Sequence, residues 1–137
     1  MSRPRLLVVD DHDVLREALV ELLVQAGFDV VGDAADGADA VALAKQLRPD
    51  VVLMDLRMPV LSGLDAAPLI KEACPATQVV LLSAFESPAL EQQALAAGCF
   101  AYVVKGGPPG DLRLVLRQAV TSRRALLGPP GSAAVDH

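Results

Sequence analysis

The sequence predicts an α/β fold, a doubly wound sheet of five parallel strands in the order 2-1-3-4-5, which is common among such sheets. Short apolar segments alternate five times with segments whose apolar residues recur at helical spacing. The core must consist of Val, Leu and Ala, because the 137 residues include no Trp, one Tyr and three Phe. A chain of this length is sufficient for one domain with its own core.

Strand and helix ends are predicted from local signals. The predicted strands cover residues 5–9, 29–34, 51–55, 78–82 and 100–104. After the first strand, apolar residues at helical spacing predict the first helix, which Gly27 should end in a left-handed conformation. Asp36 and Ser87 are predicted to cap the second and fourth helices, and Gly98 to end the fourth. A single apolar stripe predicts the last helix.

Pro68 determines where the third helix is expected to begin. The segment from Leu64 to Ala73 has a helical pattern. A proline in a helix interior costs roughly 3 kcal/mol, because it removes a hydrogen bond and crowds the preceding turn. We therefore expect this helix to begin late, with Asp65 as its cap and Pro68 in the first turn.

The charge of the chain is acidic and unevenly distributed. A net charge of −5 argues against a nucleic-acid-binding surface as the main feature. Residues 10–39 contain nine acids and one base, Arg16, whereas residues 105–124 contain five bases and one acid, Asp111. Solvated helix faces would explain both stretches. The alternative is a cation site near the first strand and a partner surface on the last helix.

Compartment and redox state follow from composition. No apolar segment approaches the roughly 18 residues of a membrane helix, and a strand rather than a signal peptide follows Pro4, so we expect a cytoplasmic protein. Cys74 and Cys99 lack metal-ligand spacing. They are expected to be reduced and to serve as small apolar residues.

Polar residues stand where the predicted strands end. Asp10 and Asp11 follow the first strand, Asp55 ends the third, Ser83 follows the fourth and Lys105 follows the fifth. Under the predicted order they converge at one edge of the sheet. Two carboxylates about 5 Å apart repel by roughly 3 kcal/mol at an effective dielectric of 20, so three need Lys105 and a divalent cation such as Mg²⁺. This combination favours phosphoryl transfer to Asp55 as an acyl phosphate.

These residues together resemble the receiver domain of two-component response regulators. The matching motifs are Asp10-Asp11, Asp55 with Met58-Pro59 and Ser62-Gly63, Ser83-Ala84, and Lys105. The resemblance covers roughly residues 4–120 and implies the flavodoxin-like receiver fold. It also implies a signalling domain rather than an enzyme, with slow self-dephosphorylation as its own turnover.

Individual roles are implied by the same resemblance. Asp55 matches the phosphoacceptor, and Ser83 and Lys105 match the phosphate-sensing hydroxyl and the lysine. Tyr102 matches the switch aromatic, with a core-edge aromatic as the alternative. The implied Mg²⁺ ligands are Asp10, Asp11, Asp55 and the backbone carbonyl of Arg57.

Partners are implied as well. The family accepts its phosphoryl group from a sensor histidine kinase. A homodimer through helix 4, strand 5 and helix 5 is also expected, with Phe85 either on this face or buried.

The segment from Lys105 to Pro109 resembles the LuxR- or NarL-type subgroup, in which a helix-turn-helix domain controls transcription. We expect that domain to be missing from residues 1–137, and we expect DNA binding only through it. Residues 121–137 are predicted to form a helix end and a flexible linker or tail, of a receiver fragment or of a stand-alone receiver.

Three other functions compete with this one. A phosphatase of the haloacid dehalogenase type would carry a second aspartate at the position of Arg57. A nucleotide or flavin binder would need a glycine-rich or hydroxyl-rich loop after the first strand, where Asp10 and Asp11 repel a phosphate in the absence of metal. A phosphorylation-independent adaptor remains open. His12 is interpreted as a solvated loop residue rather than a general base.

Overall fold

Five parallel strands and five helices alternate along the chain in the computed structural model, which describes residues 3–127. The strands are β1 (Arg5–Val9), β2 (Asp29–Ala34), β3 (Val51–Asp55), β4 (Gln78–Ser83) and β5 (Ala101–Val104). The helices are α1 (Asp13–Gln25), α2 (Gly37–Leu47), α3 (Gly63–Ala73), α4 (Pro88–Ala96) and α5 (Pro109–Leu127). The strands form one sheet in the order β2-β1-β3-β4-β5, which confirms the predicted fold.

Alternate residues of the strands form two apolar cores, one on each face of the sheet. On one face, Leu7 and Met54 lie among buried residues of α2, α3 and α4. On the other face, Val8 and Leu53 lie among buried residues of α1 and α5. All five residues of β3 are buried, as expected for the central strand of a sheet that is covered on both sides.

Local capping signals predicted several helix ends correctly. The side chains of Asp36 and Ser87 each accept a hydrogen bond from the backbone N–H three residues later, at 2.8 and 3.2 Å. Gly27 and Gly98 follow the ends of α1 and α4 with φ angles of +98° and +96°. This left-handed conformation favours glycine because it has no Cβ.

The predicted start of the third helix is wrong. α3 begins at Gly63, with Ser62 as the cap whose hydroxyl accepts a hydrogen bond from the backbone N–H of Asp65 at 3.1 Å. Pro68 consequently lies inside the helix. The N–H of Gly63 also donates to the carbonyl of Leu56 at 2.8 Å. This tertiary contact with the segment after β3 holds the helix start in place despite the cost of the proline.

The apolar residues of α1 are only partly covered. Leu23 is buried, whereas Val14 and Leu15 are 79% and 54% exposed. α5 reaches the C-terminal end of α1, where the Arg117 guanidinium donates to the carbonyl of Ala26 at 2.8 Å. The other half of α1 lines a cavity of 580 Å³ that extends to the loop between β5 and α5.

The far end of α5 is tied to the amino edge of the sheet. Arg123 forms an ion pair with Asp50 at 3.1 Å, and Ser122 accepts a hydrogen bond from Gln78 at 3.3 Å. The helix extends to Leu127, past the predicted receiver boundary at residue 120. The linker predicted beyond the helix falls on residues 128–137, outside the described residues.

Both cysteines are free and buried. Burial raises the pKa of the Cys99 thiol to about 12, so this residue is a neutral, apolar thiol at physiological pH. Within residues 3–127, no helix has the length and apolar character needed to cross a membrane.

Replacement of Gly63 by Ala is expected to lower the free energy of unfolding by about 1 to 3 kcal/mol, as in other overpacked sites. A Cβ at this position would lie 2.2 Å from the backbone carbonyl oxygen of Asp55. Urea denaturation measures the change. In the control Gly110→Ala, the new methyl group meets open space within α5, so stability should stay equal or rise by up to about 1 kcal/mol. Equal stabilities of wild type and Gly63→Ala would contradict this prediction.

Candidate functional site

The carboxyl edge of the sheet brings together the five residues that the sequence singled out. Asp10 and Asp11 follow β1, Asp55 ends β3, Ser83 ends β4 and Lys105 follows β5. β1 pairs in parallel with β3, β3 with β4, and β4 with β5. The strand ends therefore lie side by side, and their polar side chains share one edge.

Lys105 links the two buried carboxylates of this edge. Its Nζ lies 3.2 Å from Oδ2 of Asp55 and 3.5 Å from Oδ2 of Asp10. The side chains of Asp55 and Asp10 are only 8% and 4% exposed. Buried carboxylates need a compensating charge, and the ammonium group provides one positive charge for two negative ones.

The pKa of Asp55 is raised above its ordinary value. Burial is the largest cause, and the negative charge of Asp10 adds to it. The charge and hydrogen bond of Lys105, together with a hydrogen bond to the Arg57 backbone, act in the opposite direction without cancelling the effect. Burial thus disfavours the ionised form of Asp55 in the folded protein.

Four residues present ligand atoms that could hold a metal ion. Asp10, Asp11, His12 and Asp55 each offer one such atom, and these atoms all lie within 4.8 Å of one another. Asp11 Oδ1 is buried and accepts no hydrogen bond from any described residue, although Nδ1 of His12 lies 3.1 Å away. A set of carboxylate oxygens with one oxygen unsatisfied suits a hard divalent cation such as Mg²⁺. The residues present therefore fit such a cation.

His12 lies closer to this site than the sequence suggested. Its ring is exposed, as expected for a loop residue, but Nδ1 is 3.1 Å from Oδ1 of Asp11 and 3.4 Å from Oδ1 of Asp10. Its backbone N–H also donates to Asp10 Oδ1 at 2.9 Å. His12 is thus a neighbour of the carboxylates, a contact that the interpretation as a solvated residue omitted.

Phe85 connects Ser83 with Tyr102. Its backbone N–H donates to Ser83 Oγ at 3.1 Å, and its carbonyl accepts a hydrogen bond from the Tyr102 hydroxyl. The guanidinium of Arg57 lies 5.0 Å from the centre of the Phe85 ring, a cation–π distance. The ring is half-exposed rather than buried. The hydroxyl at the carboxyl edge and the aromatic on β5 therefore meet at one loop residue.

Arg16 was not predicted as a site residue. Its guanidinium donates to the Asp10 carbonyl at 2.7 Å and to Asp13 Oδ1 at 2.8 Å, and its Nε lies 3.6 Å from Oδ2 of Asp33. The signal in the sequence was its position as the single base among nine acids in residues 10–39. That pattern does not specify which acids the arginine contacts.

Comparison with known proteins gives consistent matches. The response regulator receiver domain matches residues 6–117. The transcriptional regulatory protein LnrK from Bacillus subtilis is 39% identical over 102 residues, 74% of this chain and 46% of LnrK. The signal receiver domain of the response regulator NarL from Mycobacterium tuberculosis superposes with a TM-score of 0.80 at 37% identity, covering 87% of this chain and 98% of that domain.

A second solved structure is the CheX–CheY–BeF3–Mg²⁺ complex from Borrelia burgdorferi. One of its chains superposes with a TM-score of 0.81 at 25% identity, covering 85% of this chain and 89% of that one. The chain spans about half the length of the first transcriptional and response regulators it matches, between 46% and 63%, but 88% of the chemotaxis protein CheY from Thermotoga maritima.

The Asp55→Asn variant is expected to be more stable than wild type at neutral pH without metal, by about 1 kcal/mol. The pKa of Asp55 is raised in the folded state, so ionisation of this carboxyl favours unfolding. Below pH 3.8, the ordinary pKa of the carboxyl group in the unfolded chain, the two proteins should have the same free energy of unfolding. The advantage of the variant should grow as the pH rises through the raised pKa of the folded state and should stay constant at higher pH. Lys105 keeps Asp10 as a partner in the variant.

Urea denaturation in EDTA at several values between pH 4 and pH 8 measures this difference. Asp29→Asn, at the exposed start of β2, is the control and should show no comparable pH dependence. An Asp55→Asn variant that is less stable than wild type at pH 7 would contradict the prediction.

Proposed function

This chain belongs to the response regulator receiver domain family, and from this membership we propose that it is a phosphoryl-accepting switch with Asp55 as the acceptor. The observation that carries the proposal is the position of Lys105 between Asp55 and Asp10, beside clustered carboxylate ligand atoms. A sensor histidine kinase in the cytoplasm would be the donor. Residues 4–120 would form the receiver unit, although α5 continues beyond it.

The metal would be Mg²⁺, held by side chains of the carboxyl edge and one backbone group. The proposed ligands are Asp10, Asp11, Asp55 and the backbone carbonyl of Arg57. When bound, Mg²⁺ supplies positive charge to the oxygens of the transferring phosphoryl group. The Borrelia complex, which contains Mg²⁺ and BeF3, supports this assignment by its similarity to the chain.

Transfer requires one bond to form and one to break. A carboxylate oxygen of Asp55 attacks the phosphorus of the donor phosphohistidine, the new O–P bond forms, and the N–P bond to the histidine breaks. Lys105 is already within ion-pair distance of Asp55, so its ammonium can pair with a phosphoryl oxygen without a large movement. Ser83 Oγ can donate a hydrogen bond to another of these oxygens.

The switch follows from the charge that the phosphoryl group adds. The group carries a charge of about −2 in place of one carboxylate charge, so the site must recruit further donors. If Ser83 turns towards the phosphoryl group, its Oγ leaves the N–H of Phe85, and the loop that accepts the Tyr102 hydroxyl is released. A change of partner for Tyr102 alters the face formed by α4, β5 and α5.

The energies of such a switch are attainable. A shift from 1:99 to 99:1 requires about 5.5 kcal/mol in favour of the active state. Hydrogen bonds to charged groups contribute roughly 1.5 to 3 kcal/mol each, so about two to four of them are sufficient. Self-association through the altered face would then control transcription by way of a helix-turn-helix domain. The similarity to the transcriptional regulatory protein LnrK supports the role in transcription.

Phosphorylation of Asp55 is the first prediction of this proposal. After incubation with Mg²⁺ and acetyl phosphate, the intact mass should increase by one phosphoryl group, because Asp55 and the metal site suffice for transfer from a small donor. The gain should be absent from Asp55→Asn and from a sample with EDTA. The same mass gain in Asp55→Asn would overturn the assignment of Asp55 as the acceptor. If wild type gained no phosphoryl group from either acetyl phosphate or a phosphorylated kinase, the phosphorylation-independent adaptor would be favoured.

The Ser83→Ala variant tests the switch. The variant should still be phosphorylated. Its self-association should not change on phosphorylation, because it has no hydroxyl group that can turn towards the phosphoryl group. Molar mass by light scattering, with and without acetyl phosphate, measures the response. Ser87→Ala is the matched control, since this hydroxyl in the same loop caps α4 and its loss costs only about 1 kcal/mol of stability. If phosphorylation changed the molar mass of Ser83→Ala as much as that of wild type, the proposed switch through Ser83 and Phe85 would be excluded.

A further inference from the structure

Arg16 joins three elements next to the acidic cluster without being one of the expected site residues. Its side chain is only 15% exposed, although arginine is usually a surface residue. From α1, its guanidinium reaches Asp10 in the turn after β1, Asp13 in its own helix and Asp33 on β2. We propose that Arg16 is a positioning residue that holds the β1–α1 turn so that the carboxylates of Asp10 and Asp11 face the cation. This inference rests on the Mg²⁺ site of the proposed function.

The backbone of Asp10 shows how this positioning works. Its N–H donates to the carbonyl of Ala34 at 3.0 Å, which ties one side of the residue to the end of β2. Its carbonyl accepts the hydrogen bond from Arg16 at 2.7 Å, which ties the other side to α1. Both peptide groups of Asp10 are thus held, so the direction of its carboxylate and the path of the chain into Asp11 are restricted.

The planar guanidinium is essential to this arrangement. Its two Nη atoms reach the Asp10 carbonyl and Asp13, while Nε faces Asp33 at 3.6 Å. A lysine carries the same charge on a single nitrogen and does not present a rigid fork of donors. Substitution of Arg16 by Lys therefore separates the geometric role from the charge.

Charge and geometry predict opposite effects on cation binding. A positive charge near the site repels a cation, so loss of Arg16 would tighten Mg²⁺ binding if only the charge mattered. Asp13 and Asp33 pair with that charge and reduce its effect at the site. Loss of the hydrogen bond to Asp10 should weaken binding instead, because residues that orient metal ligands typically contribute 10- to 100-fold to affinity.

Isothermal titration of Mg²⁺ measures the dissociation constant of each variant. We expect binding to be about tenfold weaker in Arg16→Lys and up to about 100-fold weaker in Arg16→Gln. Arg123→Gln is the matched control. Arg123 is 18% exposed and pairs with Asp50 at the amino edge of the sheet. Like Arg16, it has a buried Nε that donates no hydrogen bond to the described residues. Its loss should lower stability and leave the Mg²⁺ affinity unchanged.

A metal-free measurement separates this inference from the proposed function. In EDTA, the hydrogen-bonded amides of Asp10 and His12 should exchange faster in both Arg16 variants than in wild type and in Arg123→Gln. Unchanged exchange, or Mg²⁺ binding that is equal or tighter in Arg16→Lys, would overturn the positioning role. Absence of Mg²⁺ binding by wild type would instead overturn the proposed metal site.

Discussion

The ion pairs of Lys105 with Asp10 and Asp55 are the interaction on which the site depends. The strand order allows them, since β4 lies between β3 and β5 and the long lysine side chain extends across it. The backbone N–H of Lys105 donates to the Ser83 carbonyl at 2.7 Å, which fixes the start of that side chain against β4. One ammonium group leaves three nearby carboxylates two positive charges short, which is the charge of a divalent cation.

Local signals predicted those features that depend on neighbours in the chain. Asp36, Ser87, Gly27 and Gly98 act through hydrogen bonds or φ angles within a few residues, so their roles could be predicted without the fold. The site was predictable for a different reason, since parallel strands expose their carboxyl ends at one edge. The residue types there then restrict the chemistry.

The failures of prediction have a common cause in tertiary contacts. The start of α3 is determined by the contact of Gly63 with Leu56, which the segment around Pro68 does not encode. The helical spacing of Leu15 predicts a helix but not whether a neighbouring element covers the residue. Two of the three partners of Arg16, Asp10 and Asp33, lie outside its own helix, so a charge count over residues 10–39 identified the residue without its function.

The length of α5 relates the two edges of the sheet mechanically. Its 19 residues form a rod of about 28 Å, which begins near the loop of Lys105 and ends beyond the Asp50–Arg123 ion pair. A tilt of one degree displaces one end relative to the other by about 0.5 Å. A tilt of α5 caused by a change at the carboxyl edge would therefore change the distance between Asp50 and Arg123. This ion pair lies at the amino edge, at the other end of the five residues of β3.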